Sequence, residues 1–520
     1  MGADDMSLPL LSFLAVGVVA GCYAWRRSLR PNFPPGPPGL PILGNVFDTP
    51  ITEPWRAYKT LGENYGDIIH LRVLTQDMII LNSYEAIKDL LEHRSQNYSD
   101  RPHIPGNDLV DFGWGTGFLP YGEEWKTHRK IFQYALRSER MPLYQSMQLM
   151  KICQLLKNMC DTPADYERHF RSFSTAISMA ATYDYHPAPR DDPMVNNLKI
   201  LAGVGVSLLG PAHSLLFAAF PFLMYVPSWF PGATWQRTAD KGRKVVNWWL
   251  TAPVQHVQDK MAEGPIAPCL VGDALSRIDE KRTDAENAIR LIKGAAASSL
   301  LGASDTTDST LQVFVLAMVL NPDAQRRAQA EIQAVVGSER LPDFSDRPNM
   351  PYIEAVYRET LRWHPALPFA LVRSAVNDDI YRGYSFPKGV AIIPNLWQVH
   401  IPFRYPDPFT FNPNRFFDDN GNLNDDTVSF AYGFGRRVCV GRALAENSVW
   451  AAIVNLLAVF SFEAPLDETG RPVKIEPRFT TGLTSHPESF PVQITMRMDP
   501  QKFTSLLGTE NDVDELATNG

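Results

Sequence analysis

The stretch AYGFGRRVCVGRALAE, Ala431 to Glu446, sets one cysteine in a glycine-rich turn with arginines on both sides. The residues from Gly441 on, GRALAENSVWAAIVNLLAVF, have helical spacing, so Cys439 stands at the mouth of a helix. A sulfur there meets free backbone N–H groups and the positive helix end, and Arg436, Arg437 and Arg442 add charge nearby. Each influence favours thiolate over thiol. Such a thiolate serves as nucleophile, redox sensor or metal ligand, and a plain structural cysteine is a fourth reading. The local stretch offers no histidine as base for a nucleophile. An axial ligand to iron needs only a fixed, shielded sulfur, which a glycine-rich turn supplies.

The rest of the chain narrows the setting. With 520 residues, 45% of them hydrophobic, it buries a large core, and a net charge of −8 gives no support to a nucleic-acid role. Five scattered cysteines, with no CxxC and no Cys/His cluster, argue against a disulfide framework or a zinc site. LPLLSFLAVGVVAGCYAW, residues 8–25, is an uncharged run of bilayer-crossing length, preceded by a short tail (1–7) and followed by Arg26, Arg27 and Arg30. The positive flank predicts an uncleaved, single-pass signal anchor with everything after it in the cytosol. Residues 26–50 then read as a basic, proline-rich hinge. The body spans 51–500, and an acidic tail from 501 to 520 reads as disordered.

Within the body, helix-like spacing dominates and short strand-like runs alternate with it. DIIHLRVLTQDMIILN predicts a β-hairpin, and RPHIPGNDLVDFGWGTGFLPYG a long functional loop. Residues 200–236 carry no charge but are broken by prolines, which predicts two helix ends joined by an apolar loop that dips into a membrane surface. A buried hairpin is the other reading. The longest helical pattern runs from Ala285 to Leu320 and holds GASDTTDST in its middle, a poor choice for a helix interior. Thr306, four residues after Gly302, is placed to bond that carbonyl, and the polar patch between apolar runs marks a candidate site.

These motifs together resemble the cytochrome P-450 family of heme-thiolate monooxygenases, in the family's order and over nearly the whole chain after the hinge. The cysteine-loop pattern appears as Tyr432, Gly435, Arg437, Cys439 and Gly441, with tyrosine where phenylalanine is usual. ETLR supplies Glu359 and Arg362, and FNPNRFF supplies Arg415, matching the family's structural Glu–Arg–Arg network, which holds the cysteine loop. The resemblance implies a mainly α fold with small β-sheets (α+β), a long central helix over the heme, and an N-terminal transmembrane helix. It implies heme b, with Cys439 as axial iron ligand and Trp125, Arg129 and Arg373 toward the propionates; His400 ranks below these. Asp305 and Thr306 would relay protons into the pocket.

The resemblance further implies electrons from an NADPH-cytochrome P-450 reductase, with cytochrome b5 as an additional donor, on the endoplasmic reticulum membrane. Lys126, Lys130, Arg137 and Arg442 are the candidate docking cations. Phe112, Trp114, Phe118, Phe217 and Phe369, with Ala303, are candidate pocket residues for an apolar, cyclic small molecule. The nearest likeness is to fungal microsomal members that tailor terpenoids, polyketides or indoles. Two other readings stand beside a monooxygenase: a heme-thiolate isomerase or dehydratase that needs no dioxygen, and a non-catalytic membrane heme binder.

Overall fold

The computed structural model describes residues 31–49, 52–188, 191–278, 284–397 and 405–507. The proposed anchor at 8–25 and His400 lie outside the described residues. Among the described residues, no helix is long and apolar enough to cross a membrane.

Apolar alternation in Ile68–Val73 (β1) and Gln76–Leu81 (β2) gives the hairpin that the sequence predicts, paired from Ile68–Leu81 to Val73–Gln76. One face of it buries Ile69, Leu71 and Ile80 with Tyr58 of the helix Pro54–Tyr65. Six further short strands are Arg373–Ser374 (β3), Asp379–Tyr381 (β4), Tyr384–Phe386 (β5), Ala391–Pro394 (β6), Phe460–Glu463 (β7) and Gln493–Met496 (β8). The main sheet runs β1-β2-β6-β3, with β6 parallel to β2; β4–β5 and β7–β8 form separate antiparallel pairs.

The proline-rich segment docks along the outer edge of β1. The His70 amide donates to the Pro35 carbonyl at 3.0 Å, and the Phe33 ring stacks on His70 at 4.1 Å. Gly36 makes this possible, because a Cβ there would sit 2.0 Å from the His70 oxygen. Covering an edge strand in this way blocks pairing with other chains.

The long helix Ala285–Leu320 forms with the bounds that the sequence predicts and is the axis of the helical layer. From Thr307 to Val319 every residue is buried, so this half has no solvent face. It packs against the helices Glu123–Leu136, Tyr166–Tyr183, Pro351–Trp363 and Arg442–Val459. Asn321, at φ −131° and ψ 68°, ends it because the following Pro322 disfavours helical backbone in the residue before it.

The uncharged stretch forms the end of the helix Pro193–Leu209, the helix Pro211–Ala219 and a 3₁₀ turn at Pro221–Tyr225, before the helix Thr234–Glu263. Its loop exposes Phe222, Tyr225 and Trp229 at 65%, 85% and 78%. The expected disordered tail from 501 requires correction. Pro500–Leu507 is a helix, held by burial of Phe503 and by an ion pair between Lys502 and Glu339 at 2.5 Å; residues 508–520 lie outside the described residues.

Candidate functional site

Two 3₁₀ turns, Ser429–Tyr432 and Gly435–Arg437, shape the loop before the helix Arg442–Val459. The Cys439 amide donates to the Tyr432 carbonyl at 2.8 Å, closing the turn over the sulfur. Gly435 has φ +56°, and a Cβ on it would lie 2.0 Å from the Leu91 carbonyl oxygen. Both the backbone angle and the contact therefore require glycine here. The Arg129 guanidinium, from the helix Glu123–Leu136, donates to the Val438 carbonyl at 2.6 Å and so ties this helix to the loop.

Cys439 is exposed by surface area, yet burial is the largest influence on its thiol and pushes its pKa up. A side chain that is ringed by protein and still accessible faces an internal void. The backbone N–H of Gly441 and the charges of Arg129 and Arg442 pull the other way without overcoming burial. For the helix end and Arg442 these are the directions that the sequence predicts, here set against burial. Arg436 bonds the Tyr121 hydroxyl, and Arg437 donates to backbone carbonyls. A coordinated metal is what deprotonates a thiol held up in this way.

Four arginines gather at the site: Arg129, Arg373, Arg437 and Arg101, which the sequence reading did not single out. Burial, reinforced by mutual repulsion for three of them, lowers the pKa of all four, that of Arg373 to about 9 and that of Arg437 to about 10. Arg373, on β3, is 2% exposed; its Nη2 donates to the Phe434 carbonyl at 3.2 Å, while Nε and Nη1 are buried without a partner among the described residues. Arg101 donates to the carbonyls of Leu371 and Val372 and leaves Nε unpaired. Arg437 reaches the carbonyls of Ser99, Thr116 and Leu119, and its guanidinium lies 4.5 Å from the Trp125 ring centroid. Trp125 itself is buried. Asp100 is near enough to act on Arg101 and Arg437, but none of the four arginines forms an ion pair with a carboxylate among the described residues, and buried cations with unsatisfied donors call for an anion.

The long helix supplies a different set. Gly302 is exposed in mid-helix, and a Cβ on it would meet nothing within 4 Å. The Thr306 hydroxyl donates to the Gly302 carbonyl at 2.9 Å, the bond its spacing predicts, and Ser174 donates to the Ala303 carbonyl at 2.8 Å. Asp305, one turn after Leu301, bonds His486 at 3.2 Å from a C-terminal loop. Asp305, Asp308 and His486 each bring one oxygen or nitrogen within 4.8 Å of the others. His486 was not legible in the sequence, where nothing marks a lone histidine 181 residues away.

Tyr432, the departure from the family pattern, finds a partner in Tyr357: their hydroxyls are 2.9 Å apart. The Arg442 guanidinium lies 5.4 Å from the Tyr432 ring and pairs with Glu446 at 2.7 Å. The Glu359 carboxylate bonds Arg362 and Arg415, with the three side chains 0%, 0% and 8% exposed. Their remaining donors hold the carbonyls of Pro406, Pro408 and Thr410. The network thus pins residues 406–412 directly. It reaches the cysteine loop through Tyr405, whose ring lies under both guanidiniums and 6.4 Å from Phe430.

The candidate pocket aromatics do not form one group. Phe112 packs on Trp114 at 4.6 Å and on Phe118 at 6.0 Å, whereas Phe369 packs on Trp55 and Tyr58 at the sheet, and Phe217 is fully buried.

These features fit the heme that the resemblance implies. There is an accessible sulfur within the fold, open space at Gly302 and Gly441, and a set of buried guanidinium donors for carboxylates.

Comparison with known proteins gives the same direction. The family model described as cytochrome P-450 matches residues 34–494. The chain is 35% identical over 520 residues to the cytochrome P-450 monooxygenase COX1 of Coprinopsis cinerea, covering 98% of this chain and 100% of that one. It is 34% identical to the tryptamine 4-monooxygenase of Psilocybe cyanescens, over 92% of this chain and 96% of the relative. It is also 34% identical to the cytochrome P-450 monooxygenase claR of Ampulloclitocybe clavipes, over 93% and 90%.

Proposed function

This chain belongs to the cytochrome P-450 family, and from that premise we propose that it oxidises an apolar secondary metabolite (a terpenoid, polyketide or indole) at a membrane surface. It is an oxidoreductase, a heme-thiolate monooxygenase carrying heme b, with a redox partner and a small-molecule substrate. The observation that carries the reading is the sulfur of Cys439, accessible yet enclosed, close to buried arginines with unpaired donors. The tryptamine-acting relative supports including indoles, and the Phe112–Trp114–Phe118 cluster supports an apolar ligand.

When bound, the heme supplies dioxygen activation, and thiolate ligation favours O–O cleavage. The residues of this chain supply the rest. Cys439 would hold the iron, with its loop fixed by Gly435 and by the Cys439–Tyr432 backbone bond. Arg129, Arg373 and Arg101, with Trp125, would hold the propionates, and Arg437 braces the cysteine loop against residues 99–119. Thr306 and Asp305 hold and pass protons on the long helix.

Thr306→Ala is expected to keep its heme, because the lost bond to Gly302 is worth about 1 kcal/mol. Product formation should fall on the order of 10²-fold while NADPH consumption continues and hydrogen peroxide accumulates. Unchanged coupling of NADPH to product would remove this role from Thr306.

Electrons come, in this reading, from a membrane-bound NADPH-dependent reductase, with cytochrome b5 as an additional donor. Lys126, 46% exposed, and Lys130 stand on the helix that also carries Arg129. Replacing both by Glu should cut reductase-driven turnover about tenfold at low salt and leave peroxide-driven turnover intact. Equal loss in the two assays would refute docking there. The uncharged run at 8–25 supports an endoplasmic-reticulum anchor with the body in the cytosol, and exposed Phe222, Tyr225 and Trp229 support a second membrane contact.

The substrate class is tested by titrating terpenoid, polyketide and indole scaffolds into the heme-loaded protein and following heme absorption. A scaffold of the right class should bind in the range of about 1 μM to 1 mM typical of enzyme substrates. If only polar scaffolds perturb the spectrum, the apolar reading is wrong.

A further inference from the structure

We infer that His486 is the positioning residue of Asp305, holding its carboxylate ionised and resupplying it with protons from solvent. The inference deepens the monooxygenase reading and rests on it for turnover, since monooxygenation consumes protons.

One hydrogen bond ties the loop that carries His486 to the long helix, one ties it to His364, and two close the loop on itself. The Ser309 hydroxyl donates to the Ser485 carbonyl, and His364 Nε2 lies 2.9 Å from the Ser485 hydroxyl. The His486 amide donates to the Thr480 hydroxyl at 3.0 Å, while its carbonyl accepts from the Thr480 amide at 2.8 Å. The ring is thereby presented to Asp305, Nε2 to Oδ1 at 3.2 Å, with 17% of the histidine side chain exposed. Its Nδ1 is buried and makes no hydrogen bond among the described residues.

Asp305 is half exposed at 51%, in mid-helix between half-buried Ser304 and Thr306, so it stands between the loop and the open side of the helix. Burial pushes its carboxyl up, but the His486 bond and charge, Thr484 and Arg171 outweigh it and hold the group below its ordinary value. The other groups facing this pair are few. Asp308, on the next turn, is fully buried, bonds Gln312 at 2.7 Å and pairs with Arg171 at 3.3 Å. Tyr166 faces Asp308 from the same helix as Arg171, and His364 faces His486. The Arg171 side chain is 61% exposed, which brings the cluster to solvent.

The proton balance is simple. The ionised Asp305 carboxylate takes the Nε2 proton of protonated His486 and gives it on toward Thr306, which returns Asp305 to the carboxylate. Neutral His486 then takes one proton from solvent, and its charged ring again pairs with ionised Asp305. A histidine suits this step because its two nitrogens release and accept a proton near neutral pH.

The test uses the full-length, heme-loaded protein and two readouts. The first is infrared titration of the Asp305 carboxyl in the ferric resting state, identified by its loss in Asp305→Asn. In the native protein its protonated band should appear only below about pH 4. In His486→Gln, which keeps the ring's approximate volume and an N–H donor, the band should appear at higher pH, because the charge of His486 is gone. The second readout is coupling of NADPH to product. His486→Gln should lower it on the order of tenfold, as loss of an outer partner does. The deficit should be largest near about pH 6 and narrow toward about pH 8, where a histidine ring gives up its charge, with a raised solvent isotope effect; His486→Lys should restore part of it.

An infrared titration unmoved by His486→Gln, or a native band persisting above about pH 6, would overturn the inference without reference to any reaction. A shifted band with an unchanged pH profile and isotope effect would leave His486 a structural partner and overturn the proton supply. Failure of the monooxygenase reading would show instead as absence of product from the native protein, with the infrared arm unaffected.

Discussion

Cys439→Ser will abolish the thiolate signature of the reduced, CO-bound protein and reduce turnover to background. Serine is smaller than cysteine and keeps the backbone bond from residue 439 to Tyr432, so the loop is expected to survive. What is lost is a sulfur that the iron can hold deprotonated. The protein's own field does not do so, since burial raises the Cys439 thiol despite Gly441, Arg129 and Arg442. An alcohol in the same place is far less acidic, and it gives a neutral or absent ligand. The check is a CO difference spectrum at matched protein yield. Persistence of the thiolate band would assign the ligand to another cysteine, although burial raises the thiols of Cys153, Cys160 and Cys269 as well.

Glu359→Gln is expected to cost about 3–5 kcal/mol, because it leaves Arg362 and Arg415 buried without the carboxylate they share. That is a large part of the roughly 5–15 kcal/mol that stabilises a folded domain. The loss should appear as a lowered melting temperature together with poor heme retention, since residues 406–412 and Tyr405 lose their tether. A loss below about 1 kcal/mol, the worth of an exposed pair, would mean that the network is not the tether described above.

Much of this was legible in the sequence for identifiable reasons. The hairpin Ile68–Leu81 carries an alternating pattern, the helix Ala285–Leu320 carries apolar runs on both sides of its polar patch, and each ends at a turn or proline. The Cys439 loop, the Glu359–Arg362 pair and the Thr306–Gly302 bond depend on short spacings, which a chain displays directly, whereas Arg415, 56 residues from Glu359, was legible only through the family resemblance. Arg101 was not legible, because it sits in a Gly- and Pro-rich loop whose path is set by contacts with Leu371 and Val372. Nor was the pairing of Tyr432 with Tyr357, or of Asp305 with His486, since both bring together residues far apart in the chain. Desolvation of the Cys439 thiol was not legible: local charge was visible, but burial is a property of the whole fold. Of the tail, residues 501–507 were misread because buried Phe503 docks them as a short helix.

The most direct test of the account feeds terpenoid, polyketide and indole scaffolds to membranes holding the full chain, a reductase and NADPH under isotopically labelled dioxygen. Mass analysis should find one labelled oxygen atom in an apolar product, formed only when NADPH is present. A product that forms without label and without NADPH would contradict the account and identify an isomerase or dehydratase.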